Sequence, residues 1–461
     1  MVNYSLKEIA EYIGGDFHGN DASVTGFSID SRTINTDDVF FCIKGKNFDG
    51  HDFIKHCAKK ASCIITSNKI EDYDVEIKSY IYVSDTLSAL QKASEFVRKK
   101  SKAKFIAITG SNGKTTVKEM IAHILSDYKI TYTKANSNNH IGVPLTLLSI
   151  NQDDDYIILE IGSNHPGEIA PLAKIINPDI AVVTNVGYAH IEGFRNLKNI
   201  AKEKYSIYQY IKKNGIAIIN NEDKYKSIIK TECKKIYFGH KLKIYLKILQ
   251  IFKNTFKNYK FLSILKIGKK KIELNYGNIK ENININLNGE HNHLNVACAA
   301  SIALSLKIDI RIIRAKIESF NAVPSRLKLH QLDSNVCIID DCYNANPSSF
   351  KAALSYLSEQ DQKKLVLMGD MVELGKDSEF FHKEIGSYAR SLGINKFLSI
   401  GKFSKYSSDA FGNDGYHFEN SESLKSFLNN EIDSNLYILI KGSRSTQLEE
   451  YVDFIINGRY V

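Results

Sequence analysis

Residues 104–125 read KFIAITGSNGKTTVKEMIAHIL, and the fold turns on this stretch. A short apolar, β-branched run ending at Thr109 meets a glycine turn, and a helical pattern opens at Lys114. Gly110 and Gly113 let the backbone wrap a phosphate, and the helix N-terminus supplies unpaired N–H groups. Lys114 reaches the terminal phosphates, and Thr115 carries a hydroxyl for Mg²⁺. Ser111, Asn112 and Thr116 complete an ATP-binding loop. Its spacing is the short G-x-x-G-K-T, because Ile108 and not glycine stands six positions before Lys114.

Working outward, the runs YIILEIG (156–162), DIAVVTN (179–185) and GIAIIN (215–220) are equally short and separated by helical stretches. They predict a parallel sheet with crossover helices. The pattern restarts after Phe320 with VCIIDD, a helix from Pro347, KLVLMG, a helix over 378–392, KFLSIG and LYILIKG. Residues before about 100 mix short strands with helices. The expectation is an α/β protein of three domains. Residues 1–101 form an N-terminal mixed α/β domain, 102–320 a central P-loop ATPase-like parallel sheet with an added β-rich segment, and 321–461 a C-terminal Rossmann-like α/β domain. Ligands of open parallel sheets collect at the carboxyl ends of strands. Glu160 closes YIILE, where a carboxylate can hold the metal, and His190 lies just beyond DIAVVTN, so both join the phosphate loop as candidate catalytic residues.

Composition narrows the class. With 461 residues, 43% hydrophobic and 25% charged, the chain packs several cores and needs no covalent staples. Its 7 cysteines are odd in number, scattered and never C-x-x-C, which points to neither a disulfide framework nor a zinc site. The net charge of +9 resides in one segment, 241–280, with eleven lysines against Glu273 alone. That segment alternates, which predicts half-exposed strands with a lysine-coated outer face rather than a nucleic-acid groove. No apolar run reaches the ~18 residues of a spanning helix and no signal peptide is apparent, so a cytoplasmic protein without membrane insertion is expected. No G-x-G-x-x-G follows a strand. The residues themselves thus predict an ATP-dependent, Mg²⁺-requiring enzyme, and leave open whether phosphate passes to water, a hydroxyl or a carboxylate.

The sequence also resembles the Mur ligase family, whose phosphate loop reads T-G-x-N-G-K-[ST]. The resemblance runs through Asp30-Ser31-Arg32, VFFCIKGKNFDGHDFI (39–54), TKANSNNHIGVPLTLL, LEIGSNHPGEI, NVGYAHIEGF and GEHNHLNVACAA. It continues in IIDDCYNANPSSFKAAL, GDMVELG followed by His382, and KGSRS. The D-D-x-Y-N-A-N-P run at 340–347 and the M-x-E-L-G run at 371–375 are characteristic of members that add D-alanyl-D-alanine to UDP-MurNAc-tripeptide.

Several roles are implied by this resemblance. Lys204 matches a family lysine carbamylated by CO₂, joining Thr115, Glu160 and His190 as ligands of two Mg²⁺ ions. Asn292, Asn295, Arg326 and Asp341 would face the nucleotide. Ser31, Arg32, Lys44, Asp49, His51, Asn138 and Asn139 would hold UDP-MurNAc-tripeptide. Tyr343, Asn344, Asn346, Lys441, Ser443 and Arg444 would hold the dipeptide. A monomer is implied, with closure of the last domain over the middle one. Cys42 and Cys342 are expected to be buried and inert. The rivals are another ligase of the superfamily, such as a folylpolyglutamate synthase, and a nucleic-acid-binding ATPase that uses the lysine segment.

Overall fold

The computed structural model describes residues 3–240, 259–332, 335–432 and 435–458. Three α/β layers follow one another along the chain. In the first, a five-stranded sheet has the order Asp16–Gly19, Ser79–Tyr82, Cys63–Thr66, Asp38–Phe41 and Gly26–Ser28, parallel except for the outermost pair that includes Asp16–Gly19. The helix Thr86–Lys100 starts at an Asp85 cap and ends in Arg98, Lys99 and Lys100, charges that suit the two ends of its dipole. It buries Ala89, Leu90, Ala93, Phe96 and Val97, a helical stripe whose core continues into Phe105, Val143 and Leu147 of the next layer. The buried Arg98 bonds the carbonyls of Ile176 and Asn177 at 2.5 and 2.9 Å.

The second layer is a nine-stranded sheet. It is parallel from Ile130–Tyr132 at one edge through Tyr156–Glu160, Lys104–Thr109, Ile180–Val183, Ile216–Asn220 and Lys234–His240 to Tyr259–Gly268. Lys271–Tyr276 and Ile279–Asn284 then extend it antiparallel, which realises the added β-rich segment. The chain reverses its direction of strand addition on either side of Lys104–Thr109, so the phosphate loop leaves the sheet at its switch point. Register sets Glu160 level with Ile108 and Val183 level with Thr109. Helices Lys114–Ile124, His291–Ser305 and Ile310–Ser319 cover one face through a second core.

Among the described residues, Lys266, Lys269, Lys270, Lys271 and Lys280 of the lysine-rich segment are exposed. Leu262, Ile264, Ile272, Leu274 and Ile283 alternate inward as the pattern required, but Leu265 and Ile267 are exposed, and Lys266 pairs with Glu290 at the start of His291–Ser305. Lys269, Lys270 and Lys271 follow the end of Tyr259–Gly268, a strand that carries apolar residues on both faces. Residues 241–258, where much of the lysine-rich expectation falls, lie outside the described residues.

The third layer has six strands in the order Lys328–Gln331, Val336–Asp340, Leu436–Lys441, Lys363–Gly369, Lys396–Ile400 and Gly415–Phe418, antiparallel only at the first pair. Its core also takes Ile191, Phe194 and Ile200 from the central layer. Cys42 and Cys342 are buried, and burial pushes both thiols well above their ordinary range. Among the described residues no helix is long and apolar enough to cross a membrane.

Candidate active site

The phosphate loop is built so that only glycine fits at its two turns. Gly110 has φ +150° and a Cβ there would lie 1.9 Å from Thr184 Oγ1. Gly113 has φ +79° and a Cβ there would lie 2.3 Å from Asn295 Oδ1. The residues after strand Ile180–Val183 clamp the loop from outside. Asn185 accepts the N–H of Ser111 on its carbonyl (2.9 Å) and that of Asn112 on its side chain (3.0 Å), while Thr184 Oγ1 donates to Asn112 O at 2.6 Å. Asn295 donates to Asn292 Oδ1 (2.8 Å) and Asn292 to the Asn288 carbonyl (2.6 Å), a buried ladder behind Gly113. Lys114 Nζ donates to Gly110 O at 2.8 Å, and Thr116 sits half-buried on the first helical turn.

Around Lys114 the candidates converge. Burial lowers its pKa first, Glu160 opposes that shift, and Arg326 adds to it. Glu160 is 2% exposed; its N–H bonds Thr133 Oγ1 at 3.0 Å and its Oε1 accepts from Asn138 Nδ2 at 2.9 Å. Oε2 is buried without a protein partner. Asn138, which the resemblance put with the uridine substrate, thus steadies Glu160. Asn139 accepts the N–H groups of Ile141 and Gly142, at the start of the helix Gly142–Leu148.

Lys204 lies on the helix Leu197–Tyr205 and is 1% exposed, with Ser163 Oγ 3.5 Å from its ammonium. Burial, then the charge of Lys114, lower its pKa from 10.5 to about 7. The adjacent Glu203 cannot neutralise it fully, because its carboxylate accepts from the N–H groups of Gly167, Glu168 and Ile169 at 2.7–2.9 Å. His190 is left-handed (φ +53°), and its Nδ1 pairs with Glu373 of the C-terminal layer.

The last layer reaches the loop at several points. Arg326 stands between two left-handed residues, Ser325 (φ +54°) and Leu327 (φ +53°). Its guanidinium lies 4.0 Å over the Tyr343 ring and 3.4 Å from Thr115 Oγ1. Asn346 donates to Asn112 Oδ1 at 2.7 Å while capping the helix Pro347–Ser358. Asp341 and Lys441 form a buried pair at 2.6 Å, and Lys441 also donates to Asn344 O at 2.9 Å. Burial raises the Asp341 carboxyl while Lys441 pulls it down. Ser443 Oγ accepts from Val372 N at 3.0 Å, whereas Arg444 is largely exposed and paired with Glu449.

Three family models match in succession. They are the Mur ligase family, catalytic domain over residues 23–108, the Mur ligase middle domain over 108–303, and the Mur ligase, glutamate ligase domain over 325–444. A UDP-N-acetylmuramoyl-tripeptide--D-alanyl-D-alanine ligase of Buchnera aphidicola is 36% identical over 99% of this chain and 98% of its own. The chain belongs to the Mur ligase family. Among solved Mur ligases, MurF from Acinetobacter baumannii superposes with a TM-score of 0.88 at 27% identity, covering 99% of both chains. MurF ligase from Thermotoga maritima in complex with ADP gives 0.79 at 25% identity, covering 93% of this chain and 96% of that one.

In this Mur ligase the proposed uridine set sits mostly apart from the phosphate loop, on the first layer. Asp49 holds His51 Nδ1 at 2.6 Å, and Lys44 lies 3.8 Å from Asp49. Ser67 Oγ is 3.1 Å from His51 Nε2, but the Ser67 N–H also donates to that nitrogen at 3.2 Å. The arrangement therefore clamps a loop and leaves no free base for a serine nucleophile. Arg32 pairs with Asp30 at 2.6 Å on the surface beside Ser31. Pattern reading missed Thr184, Asn185 and Glu373. The first two could have been found as the TN that ends an apolar strand facing the loop. Glu373 had only its motif, with no partner visible in sequence.

Proposed function

We propose that this Mur ligase joins D-alanyl-D-alanine to UDP-MurNAc-tripeptide, with ATP hydrolysed to ADP and phosphate. The observation that carries the reading is the meeting of Lys114, Glu160, Lys204 and Arg326 at one switch point, in a chain that aligns end to end with a relative bearing that name. The same full-length match disfavours the folylpolyglutamate synthase alternative. The reading of Lys114, Thr115, Glu160, His190 and Lys204 as the working set is part of the proposal.

A carboxylate repels an amine because of its negative charge. Phosphorylation of the tripeptide's terminal carboxylate by ATP turns one oxygen into a leaving group. The dipeptide's amino group then adds to the acyl carbon, and the tetrahedral intermediate expels phosphate to leave an amide. In the chain's own terms, the loop N–H groups and Lys114 cradle the terminal phosphates, and Arg326 brings a second cation from the facing domain. Asn346 on Asn112 and Arg326 on Thr115 tie closure of the domains to the loop, excluding water from an acyl phosphate that would otherwise hydrolyse.

The donor set fits a hard divalent cation. Glu160 Oε2 is buried and unpartnered, and the low pKa of Lys204 gives a neutral amine able to add to CO₂. Its nitrogen bonds the CO₂ carbon and releases a proton, leaving a carbamate oxygen donor. Mg²⁺ held by Thr115, Glu160, His190 and the Lys204 carbamate would neutralise the charge that builds on the phosphates.

The test is phosphate release from ATP and Mg²⁺ with UDP-MurNAc-tripeptide, with and without D-alanyl-D-alanine, and product mass. Release that needs both substrates and gives the dipeptide-extended product is expected. Lys204→Ala should lose activity and regain it with a short carboxylic acid. Hydrolysis indifferent to both substrates would overturn the assignment.

A further inference from the structure

The M-x-E-L-G run (371–375) has no part in the reaction proposed above, yet it is held in place by a connected set of hydrogen bonds at the domain seam. The Asp370 carboxylate accepts the N–H groups of Lys402, Phe403 and Ser404 at 2.9, 2.9 and 2.7 Å, and its carbonyl accepts from Ser443 at 3.0 Å. The fully buried His382 donates from Nδ1 to Ser378 O at 2.6 Å and accepts the Met371 N–H on Nε2 at 3.1 Å. Ser443 Oγ then fixes Val372. The next residue, Glu373, is forced into a left-handed turn (φ +64°), with Gly375 left-handed behind it (φ +57°).

The turn projects Glu373 across the seam. Its carbonyl accepts the Glu192 N–H at 3.1 Å and its carboxylate pairs with His190 Nδ1. Met371 and Leu374, on either side, share a core with Ile191 and Phe194. One residue of the last domain therefore grips both backbone and side chain of the loop that presents His190. The contact is one of charge and proximity: a carboxylate lying against Nδ1 favours a proton on that nitrogen and leaves Nε2 as the one that can serve a ligand.

We infer that Glu373 is a positioning residue, which sets the His190 imidazole in its working orientation only while the central and C-terminal domains are docked. The inference rests on the proposed role of His190. It makes the histidine conditional on closure, so that the open protein does not hold the site ready for futile ATP hydrolysis.

Hydrogen exchange of the full chain without ligands, combined with steady-state kinetics, tests this. In Glu373→Ala, exchange in 188–195 should speed at least tenfold while the sheet strands 104–109 and 363–369 keep their protection. Its kcat should fall roughly 10–100-fold with KM for ATP within about twofold. Glu373→Gln, which retains an acceptor oxygen, should restore most of the protection. Adding Glu373→Ala to His190→Ala should lower kcat no further than His190→Ala alone. Unchanged exchange in Glu373→Ala, or losses that multiply in the double variant, would overturn the inference. The exchange measurement needs no substrate. If phosphate release proved independent of both substrates, the function would fail and the positioning would still be judged; if ligation held and exchange did not respond, only the positioning would fail.

Discussion

Lys204→Met should make the protein more stable and inactive. The wild-type ammonium is 1% exposed and its pKa falls from 10.5 to about 7. Each pKa step is about 1.4 kcal/mol, so at pH 7 the folded protein bears a cost of about 4 kcal/mol from this side chain. The sign follows from proton counting. Between pH 7 and 10.5 the unfolded chain binds the proton that the folded chain has lost, so wild-type stability rises with pH across that window. Below about pH 6 the cost levels off, and at pH 9 it has shrunk to about 2 kcal/mol. Methionine fills a similar volume without charge. For a central domain of this size the gain corresponds to roughly 10 °C in melting temperature at pH 7 and about half that at pH 9. The assay is thermal unfolding of both proteins in degassed buffer, which keeps CO₂ away from the proposed carbamylation of this amine. A variant that melts below wild type at pH 7, or a difference that does not shrink toward pH 9, would refute the reasoning that burial neutralises Lys204.

Other residues carry equally specific expectations. Gly113→Ala places a Cβ 2.3 Å from Asn295 Oδ1 at a left-handed position. Strain of about 1–2 kcal/mol plus the displaced amide should weaken ATP-analogue binding by tenfold or more in calorimetry, and unaltered affinity would contradict the clamp. Asn138→Ala removes the only protein hydrogen bond described to the Glu160 carboxylate oxygens, worth about 1.5–3 kcal/mol for a charged acceptor. The Mg²⁺ concentration giving half-maximal phosphate release should shift about tenfold, and no shift means that Asn138 does not steady Glu160. Lys441→Met strands Asp341 in the C-terminal core and should cost that domain about 3–5 kcal/mol, seen as an early step in urea unfolding. An unchanged profile would show that the pair contributes nothing.

The parts of the site legible in sequence were those encoded within a few residues. The phosphate loop, the strands that precede Glu160 and His190, and the helix beginning at Pro347 all follow from local period and turn chemistry. The central sheet's parallel order and its added β-rich segment also match what the apolar runs imply. What stayed hidden depends on partners far along the chain. Asn138 reads as one polar residue in a loop of several until Glu160 stands beside it, and nothing near Glu373 points to His190. Lys204 looks like a solvated helix lysine, and only the family resemblance singled it out; its burial comes from packing that no period reveals. Alternation in the lysine-rich segment has the same limit. Alternation says which residues share a face, and both faces of Tyr259–Gly268 carry apolar side chains.

Arg326 and its two left-handed neighbours have a consequence for engineering. Ser325 is tied to Asp340 at 3.1 Å, and Leu327 joins Asp341 through its N–H (3.2 Å) and Asn288 through its carbonyl (3.2 Å). The connection between the two layers is thus a fitted part and not a spacer. A chimera that imports a C-terminal domain from another ligase should take its splice upstream of Val323, carrying the donor's own turn, its arginine and the aspartates that pin them. A junction made at the first strand, Lys328, would mate one protein's joint to another's surface, and the hybrid would fold as two sound domains that cannot meet in register.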